Sequence, residues 1–197
     1  TTIDSDFKMT AKQLEAAITP KTKMLIFSSP CNPTGSVYTK EELRAFAEVL
    51  KKYPEIYILS DEIYEYINFV GAHESIAQFN EIKDRVIIIN GLSKGYAMTG
   101  YRLGYIAASA EVAKACEKLQ GQFTSGANAV TQRAAITALT GDLRPSMEMT
   151  KEFGRRRQRV MELLSEIPGW KCSAPAGAFY VFPDVSAYFG KSVNGQT

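Results

Sequence analysis

Three polar side chains follow three apolar segments that are typical of buried strands. They are Asn32, Asp61 and Lys94, which follow the segments 24–28, 56–60 and 86–90, respectively. In parallel sheets, ligands bind outside the carboxyl ends of the strands. If these strands are neighbours, we therefore expect the amide, the carboxylate and the amine to converge on one site.

The segment around Lys94 carries further groups that could bind an anion. A lysine amine that attacks a carbonyl group must be neutral, so its pKa, usually about 10.4, has to be lowered by burial or by nearby cations. Arg102 could supply the positive charge, and its guanidinium could equally bind two oxygens of a phosphate. Ser93 could donate a hydrogen bond to the same phosphate.

The remaining polar groups suit an aromatic ring that carries a nitrogen and a hydroxyl. Asp61 at a buried strand end would cost free energy unless a positive group, such as a protonated ring nitrogen, pairs with it. Asn32 and Tyr64 offer hydrogen-bond donors for a phenolic oxygen. With the amine of Lys94 and the phosphate donors, this set predicts a pyridoxal phosphate site, in which the carboxylate keeps the ring an electron sink.

Each of these residues, taken alone, also has a purely structural explanation. Asn32 and the residues after it could form only a turn, Asp61 could cap a helix, and Tyr64 could pack in the core. Glu62 should face away from Asp61, because neighbouring strand residues point to opposite faces, so we assign it no catalytic role. His73 lies in a polar loop and is predicted to be a surface residue.

The alternation of strands and helices predicts an α/β fold with a mainly parallel sheet and helices on both faces. Capping boxes at Thr10 with Gln13 and at Thr39 with Glu42 predict the starts of two helices. Further predicted elements are a strand at 105–108, helices at 111–120 and 128–139, a long helix from Pro145, and strands at 170–172 and 178–182. The predicted domains are 1–141, part of a large cofactor-binding domain; 142–168, a connecting helix; and 169–197, the beginning of a small C-terminal domain.

Composition and charge favour an ordinary globular protein. The 197 residues carry a net charge of +2, which favours neither nucleic acid nor a membrane surface as a partner. The arginines between 155 and 159 predict a solvated, partly salt-bridged helix face. Cys31, Cys116 and Cys172 are scattered, so the sequence predicts neither a disulfide framework nor a metal site, and reduced thiols favour the cytoplasm. We expect no membrane span and no signal peptide.

Three motifs occur in the order and with the spacing of a known family. They are Asn32-Pro33-Thr34-Gly35, Ser60-Asp61-Glu62-Ile63-Tyr64, and Ser93-Lys94 followed by Met98-Thr99-Gly100-Tyr101-Arg102-Leu103-Gly104. With them, the sequence closely resembles the class I, fold type I pyridoxal-phosphate-dependent aminotransferases, and specifically the bacterial aspartate aminotransferase branch. The resemblance extends over essentially the whole chain, including the long helix and the segment 177–180.

The resemblance implies a role for each matched residue. Lys94 would form the internal aldimine and act as general base on the substrate Cα. The other implied contacts are those of Asp61 with the pyridine nitrogen, of Asn32 and Tyr64 with the ring hydroxyl, and of Ser93 and Arg102 with the phosphate. Gly91 stands where some relatives have a further phosphate-binding hydroxyl, so this chain would lack that contact.

The implied reaction is ping-pong transamination between an L-amino acid, with aspartate as the first choice, and 2-oxoglutarate, in an enzyme that forms a homodimer. Because family enzymes are about twice as long, we expect this chain to be an internal fragment that keeps the core fold and has little or no activity. Two other interpretations stay open. One is another pyridoxal phosphate reaction at Cα, such as β-elimination, and the other is a non-catalytic α/β domain.

Overall fold

The computed structural model describes residues 1–192, and these form four strands and five α-helices. The strands are β1 (Met24–Ser28), β2 (Tyr57–Asp61), β3 (Val86–Gly91) and β4 (Gly104–Ala107). The helices are α1 (Ala11–Ala17), α2 (Lys40–Leu50), α3 (Ala110–Phe123), α4 (Ala129–Thr140) and α5 (Arg144–Ser165). Short 3₁₀ helices lie at Ile3–Ser5, Ile76–Gln78, Lys83–Arg85, Thr99–Tyr101 and Ser186–Tyr188.

The four strands form one sheet in the order β1-β2-β3-β4. The first three strands are parallel, and β4 runs antiparallel to β3. Ser28 pairs with Asp61, and Asp61 pairs with Ile89, so the carboxyl ends of the parallel strands lie level with one another. This confirms the predicted α/β fold with a mainly parallel sheet, and it brings the loops after β1, β2 and β3 to one edge.

Both predicted capping boxes are present. Thr39 Oγ1 accepts a hydrogen bond from the backbone N–H of Glu42, and the Glu42 carboxylate accepts one from the backbone N–H of Thr39, at 3.3 Å and 2.8 Å. Thr10 and Gln13 form the same reciprocal pair at the start of α1. These bonds satisfy backbone donors that would otherwise be unpaired at a helix start. Local sequence therefore determines where α1 and α2 begin.

The main hydrophobic core lies between α2 and one face of the sheet. Leu43, Phe46 and Leu50 of α2 are almost completely buried there, together with Ile58 and Val86 of the sheet. The opposite face of the sheet is more open, because the side chains of Met24, Ile26 and Tyr57 are exposed. The packed face thus supports the strands whose ends carry the candidate site.

Arg85 joins the end of α2 to the sheet. Its guanidinium donates hydrogen bonds to the carbonyl oxygens of Leu50, Tyr53 and Ile56, at 3.1, 3.0 and 2.5 Å. Burial lowers the pKa of this guanidinium below its usual value. Arg85 therefore adds a charged donor to carbonyl groups at the end of α2 and in the following turn, where Leu50 and Tyr53 also accept from backbone N–H groups.

The predicted strands at 170–172 and 178–182 are wrong. Within residues 1–192 this part of the chain contributes only two isolated bridges, Lys171 with Asp184 and Asn68 with Gly177. Ala178 has a φ of 57°, which is left-handed backbone and cannot continue a strand. The segment returns to the sheet domain, where the backbone N–H of Ala178 donates to the carbonyl oxygen of Ile67 at 2.7 Å.

The arginines of α5 form the predicted salt-bridged face. Glu152 accepts hydrogen bonds from Arg155 and Arg156, which hold the pKa of its carboxyl at about 2. Arg157 instead donates to the carbonyl oxygen of Pro175 at 2.6 Å.

None of the helices in residues 1–192 has the length and apolar character to cross a membrane. The same part of the chain contains no cluster of side chains suited to a metal ion.

Candidate active site

Three of the residues singled out in the sequence line one cavity at the carboxyl ends of β2 and β3. Asp61, Ser93 and Arg102 border this cavity of about 290 Å³, and Ile63 and Asn90 complete part of its wall. Asp61 is the last residue of β2, and Ser93 and Arg102 follow β3 in a loop that leads to β4. One cavity therefore combines a carboxylate with a hydroxyl and a guanidinium.

The backbone holds Asp61 in place. Its carboxylate accepts a hydrogen bond from the backbone N–H of Ile63 at 3.1 Å, and its carbonyl oxygen accepts one from the N–H of Ser29 at 3.1 Å. The first of these bonds is the local turn contact that an aspartate at a strand end commonly makes. It leaves the second carboxylate oxygen free to interact with a group in the cavity.

The loop that carries Asn32 is a tight turn with a glycine at its end. The N–H of Gly35 donates to the carbonyl oxygen of Cys31 at 2.8 Å, and the carbonyl oxygen of Gly35 accepts hydrogen bonds from Ala176 and Gly177. Gly35 has a φ of 70°, and a Cβ at this position would lie 2.2 Å from the Cβ of Pro175. A glycine is thus required here, and the turn binds the segment around Gly177 to the sheet.

Lys94 lies among aromatic rings just past the end of β3. Its Nζ is 5.8 Å from the centroid of the Tyr64 ring and 5.5 Å from that of the Phe179 ring. Both distances are within the range of cation–π attraction. The amine is therefore held beside the rings of Tyr64 and Phe179.

Tyr64 connects the residues of the site. It is 3% exposed, and its hydroxyl lies 2.6 Å from the hydroxyl of Tyr180. Burial and then the contact with Tyr180 raise the pKa of the Tyr64 phenol, the Asn32 side chain lowers it, and the charge of Asp61 raises it further. Since Lys94 faces the same ring, the structure brings Asn32, Asp61, Tyr64 and Lys94 together.

Arg102 borders the cavity, and Gly91 directly follows the lining residue Asn90. Arg102 has a left-handed backbone with a φ of 55°, and its guanidinium donates to the carbonyl oxygen of Thr99 at 2.9 Å. The remaining N–H groups of the guanidinium are available to an anion. At Gly91 a Cβ would lie 2.8 Å from the Cα of Gly104, so any larger residue requires the paired strands to move.

The comparisons with known proteins agree with this geometry. Residues 1–194 match the family described as Aminotransferase class I and II. The chain belongs to this family. The family assignment confirms the resemblance that the three motifs indicated.

Similar proteins include plant and bacterial aminotransferases. This chain is 45% identical to a bifunctional aspartate aminotransferase and glutamate/aspartate-prephenate aminotransferase of Petunia hybrida. The match covers 99% of this chain and 42% of that protein. It is 44% identical to an aspartate aminotransferase of Bacillus subtilis, over 92% of the chain and 46% of that protein. The chain thus spans about half the length of the curated relatives it matches.

A solved structure shares the fold. The crystal structure of the aspartate aminotransferase of Rhizobium meliloti superposes with a TM-score of 0.94 at 38% sequence identity. The superposition covers 100% of this aminotransferase-family chain and 50% of the solved chain. The α/β fold described above is therefore the fold of the corresponding half of that enzyme.

Two aromatic residues that contact Tyr64 were not predicted from the sequence. Phe179 packs against Tyr64 with ring centroids 5.4 Å apart, and Tyr180 contacts the Tyr64 hydroxyl. Both belong to the segment that was predicted as a strand of a separate unit. The adjacent aromatic pair was the only local signal, since the contact joins residues 116 positions apart.

His73 was predicted to be a surface residue, and this is wrong. Its Nε2 lies 2.8 Å from the carboxylate of Glu62, and its side chain is only 14% exposed. Glu62 also accepts hydrogen bonds from the hydroxyls of Ser60 and Ser75 at 2.9 Å and 2.8 Å. A buried carboxylate needs such partners, and the loop that carries His73 supplies one of them. Glu62 points into this network and does not line the Asp61 cavity.

Proposed function

We propose that the whole protein to which this chain belongs is a pyridoxal-phosphate-dependent enzyme that transfers an amino group between an L-amino acid and 2-oxoglutarate, with aspartate as the preferred amino acid. This chain alone would have little or no activity. The observation that carries this proposal is the cavity shared by Asp61, Ser93 and Arg102, together with the contact of the Lys94 amine with the Tyr64 ring. The names of the relatives, which are aspartate and aspartate/prephenate aminotransferases, support the choice of substrate.

The side chains present fit the proposed cofactor. Arg102 and Ser93 would hold the phosphate, because a guanidinium and a hydroxyl both donate hydrogen bonds to phosphate oxygens. Asp61 has a free carboxylate oxygen for a protonated ring nitrogen. Asn32 and Tyr64 would hold the ring hydroxyl from the side of β1 and β2.

The bound cofactor would supply an aromatic ring that accepts electrons from the substrate Cα. Asp61 would keep a proton on the ring nitrogen, since a carboxylate beside a cation favours the charged form. The amine of Lys94 would bind the cofactor carbonyl in the resting enzyme. Lys94 would also act as a general base and acid, which would take up and return the proton of the substrate Cα. Tyr64 and Phe179 would shield this amine from water.

Three broader features belong to the same proposal. We divide the chain into a cofactor-binding part (1–141), a connecting helix (142–168) and the beginning of a small domain (169–197), of which residues 193–197 lie outside the described structure. Exposed apolar side chains on α3 and α4, such as Phe123 and Val130, support assembly as a homodimer. Three free cysteines support a reducing, cytoplasmic location.

Borohydride reduction in the presence of pyridoxal phosphate tests the proposed role of Lys94. We expect one cofactor adduct, found by peptide mass spectrometry on the peptide that contains Lys94. The variant Lys94→Ala should lose both the adduct and the visible absorption of the bound cofactor. Lys83→Ala is the matched control, because Lys83 precedes β3 at the opposite end of the same strand.

Three results would count against the proposal. An adduct that persists in Lys94→Ala would move the reactive amine elsewhere. An adduct on Lys94 without transfer of the amino group from aspartate to 2-oxoglutarate, but with pyruvate released from cysteine conjugates, would identify a β-elimination enzyme. Absence of any adduct on the wild-type protein would favour a non-catalytic domain.

A further inference from the structure

The hydrogen bond between the hydroxyls of Tyr64 and Tyr180 is not one of the contacts proposed for the cofactor. The two oxygens are 2.6 Å apart, and the rings meet edge to face with centroids at 5.7 Å and an interplanar angle of 82°. This is a short distance for a hydrogen bond between two hydroxyls. The pair therefore forms a short hydrogen bond beside the ring that Lys94 contacts.

Backbone hydrogen bonds hold both tyrosines. The carbonyl oxygen of Tyr64 accepts from the N–H of Ile67 at 2.8 Å, and the carbonyl oxygen of Ile67 accepts from the N–H of Ala178 at 2.7 Å. Ala178 is completely buried beside Tyr64. These bonds fix the segment that carries Tyr180 directly to the turn that carries Tyr64.

The number of hydroxyl protons determines which tyrosine donates in this hydrogen bond. Each hydroxyl carries one proton and can also accept. If Tyr64 donates its proton to the ring hydroxyl of the cofactor, it has none left for Tyr180. Tyr180 must then donate to Tyr64, and a hydroxyl that accepts such a bond becomes a stronger donor itself.

We propose that Tyr180 is a positioning residue, which donates its proton to Tyr64 and so aims the Tyr64 hydroxyl at the phenolic oxygen of pyridoxal phosphate. This inference rests on the proposed function, because it needs the cofactor to lie beside Tyr64. Asp61 and Lys94 are the charged groups that face the Tyr64 ring, and Asn32 is its other polar neighbour. Tyr180 is therefore a further neighbour of the Tyr64 hydroxyl, in addition to these three residues.

The first measurement uses the cofactor-free protein with tyrosines isotopically labelled at Cζ for NMR. Tyr180→Phe should shift the Tyr64 signal, and Tyr64→Phe should shift the Tyr180 signal, because the bond is mutual. The matched control is the second tyrosine pair, Tyr66 and Tyr96, whose hydroxyls are 3.5 Å apart. Tyr96→Phe should leave the Tyr64 signal unchanged. If Tyr180→Phe leaves the Tyr64 signal unchanged, the inference is overturned.

The second measurement follows the visible absorption of bound pyridoxal phosphate against pH. Tyr180→Phe should raise the midpoint of this titration by roughly 0.2 to 0.7 pH units, because the phenolic oxygen loses part of its donor and holds a proton more tightly. In the Tyr64→Phe background the same change should add nothing, since Tyr180 acts only through Tyr64. A structural role alone would not produce this dependence on Tyr64.

The outcomes separate the two proposals. Equal midpoints in the wild type and in Tyr180→Phe, with cofactor bound to Lys94 in both, overturn the inference and leave the proposed function standing. If pyridoxal phosphate forms no adduct with Lys94 in the wild type, the proposed function fails, and the inference fails with it. A further shift in the double variant would also contradict the inference.

Discussion

Helices α2 and α3 both begin at a side-chain cap, but only α2 becomes part of a core. Thr39 caps α2 and Ser109 caps α3 through the same kind of hydrogen bond. In α2 an apolar stripe that includes Phe46 is buried against the sheet, whereas no residue of α3 is buried and Phe123 is 83% exposed. Local sequence therefore sets the helix, while its contribution to stability depends on what it contacts.

The largest expected difference between the two helices comes from removing one aromatic ring in each. Phe46→Ala should lower the free energy of unfolding by about 3–5 kcal/mol, because Phe46 is 1% exposed and its loss leaves a cavity. In a monomer, Phe123→Ala should change it by less than about 0.5 kcal/mol, because the ring is exposed. Urea denaturation of the wild type and both variants measures these changes in the free energy of unfolding. Similar losses in the two variants would mean that α3 is also packed in solution.

Removing a buried charge near β2 should have the next largest effect. Glu62→Gln should cost about 3 kcal/mol, because the amide can no longer accept from Ser60, Ser75 and His73 together and leaves a buried group unpaired. Glu117→Gln on exposed α3 is the matched control. Thermal unfolding followed by circular dichroism compares the two. A neutral Glu62→Gln would show that water can replace these partners.

The elements that could be predicted from the sequence are those with local signals. The capping boxes, the apolar strands and the polar residues at the strand ends depend on neighbouring residues, and the observed bounds lie close to the predicted ones. The contacts of His73 and Tyr180 were missed because loops bring them to Glu62 and Tyr64 across the chain. The strand predicted at 178–182 fails because Ala178 adopts a positive φ, which an alanine in an apolar run does not signal.

Replacing Arg85 should have the next largest of the predicted effects. Arg85→Met should cost about 2 kcal/mol, because the carbonyl groups of Leu50, Tyr53 and Ile56 lose a charged donor. Arg133→Met on α4, where the side chain is exposed, should be close to neutral. Denaturation midpoints and hydrogen exchange at the end of α2 test this. Unchanged exchange would mean that solvent satisfies these carbonyls equally well.

The smallest predicted effect depends on pH and has the opposite sign. Burial raises the pKa of the Glu65 carboxyl above its ordinary value of 4.5. The folded state then holds the proton more tightly than the unfolded state does. The stability that Glu65 contributes is thus complete below pH 4.5 and is lost as the pH rises through the folded value.

Glu65→Gln removes this ionisation and should make the protein slightly more stable than the wild type at pH 7. The gain should shrink towards zero as the pH falls below 4.5, where the Glu65 carboxyl is neutral in both the folded and the unfolded state. Glu117→Gln on α3, where the side chain is exposed, is the matched control. Melting temperatures of the three proteins over this pH range make the comparison. A gain that stays constant with pH would assign the effect to the hydrogen bonds of the new amide, because an amide does not titrate.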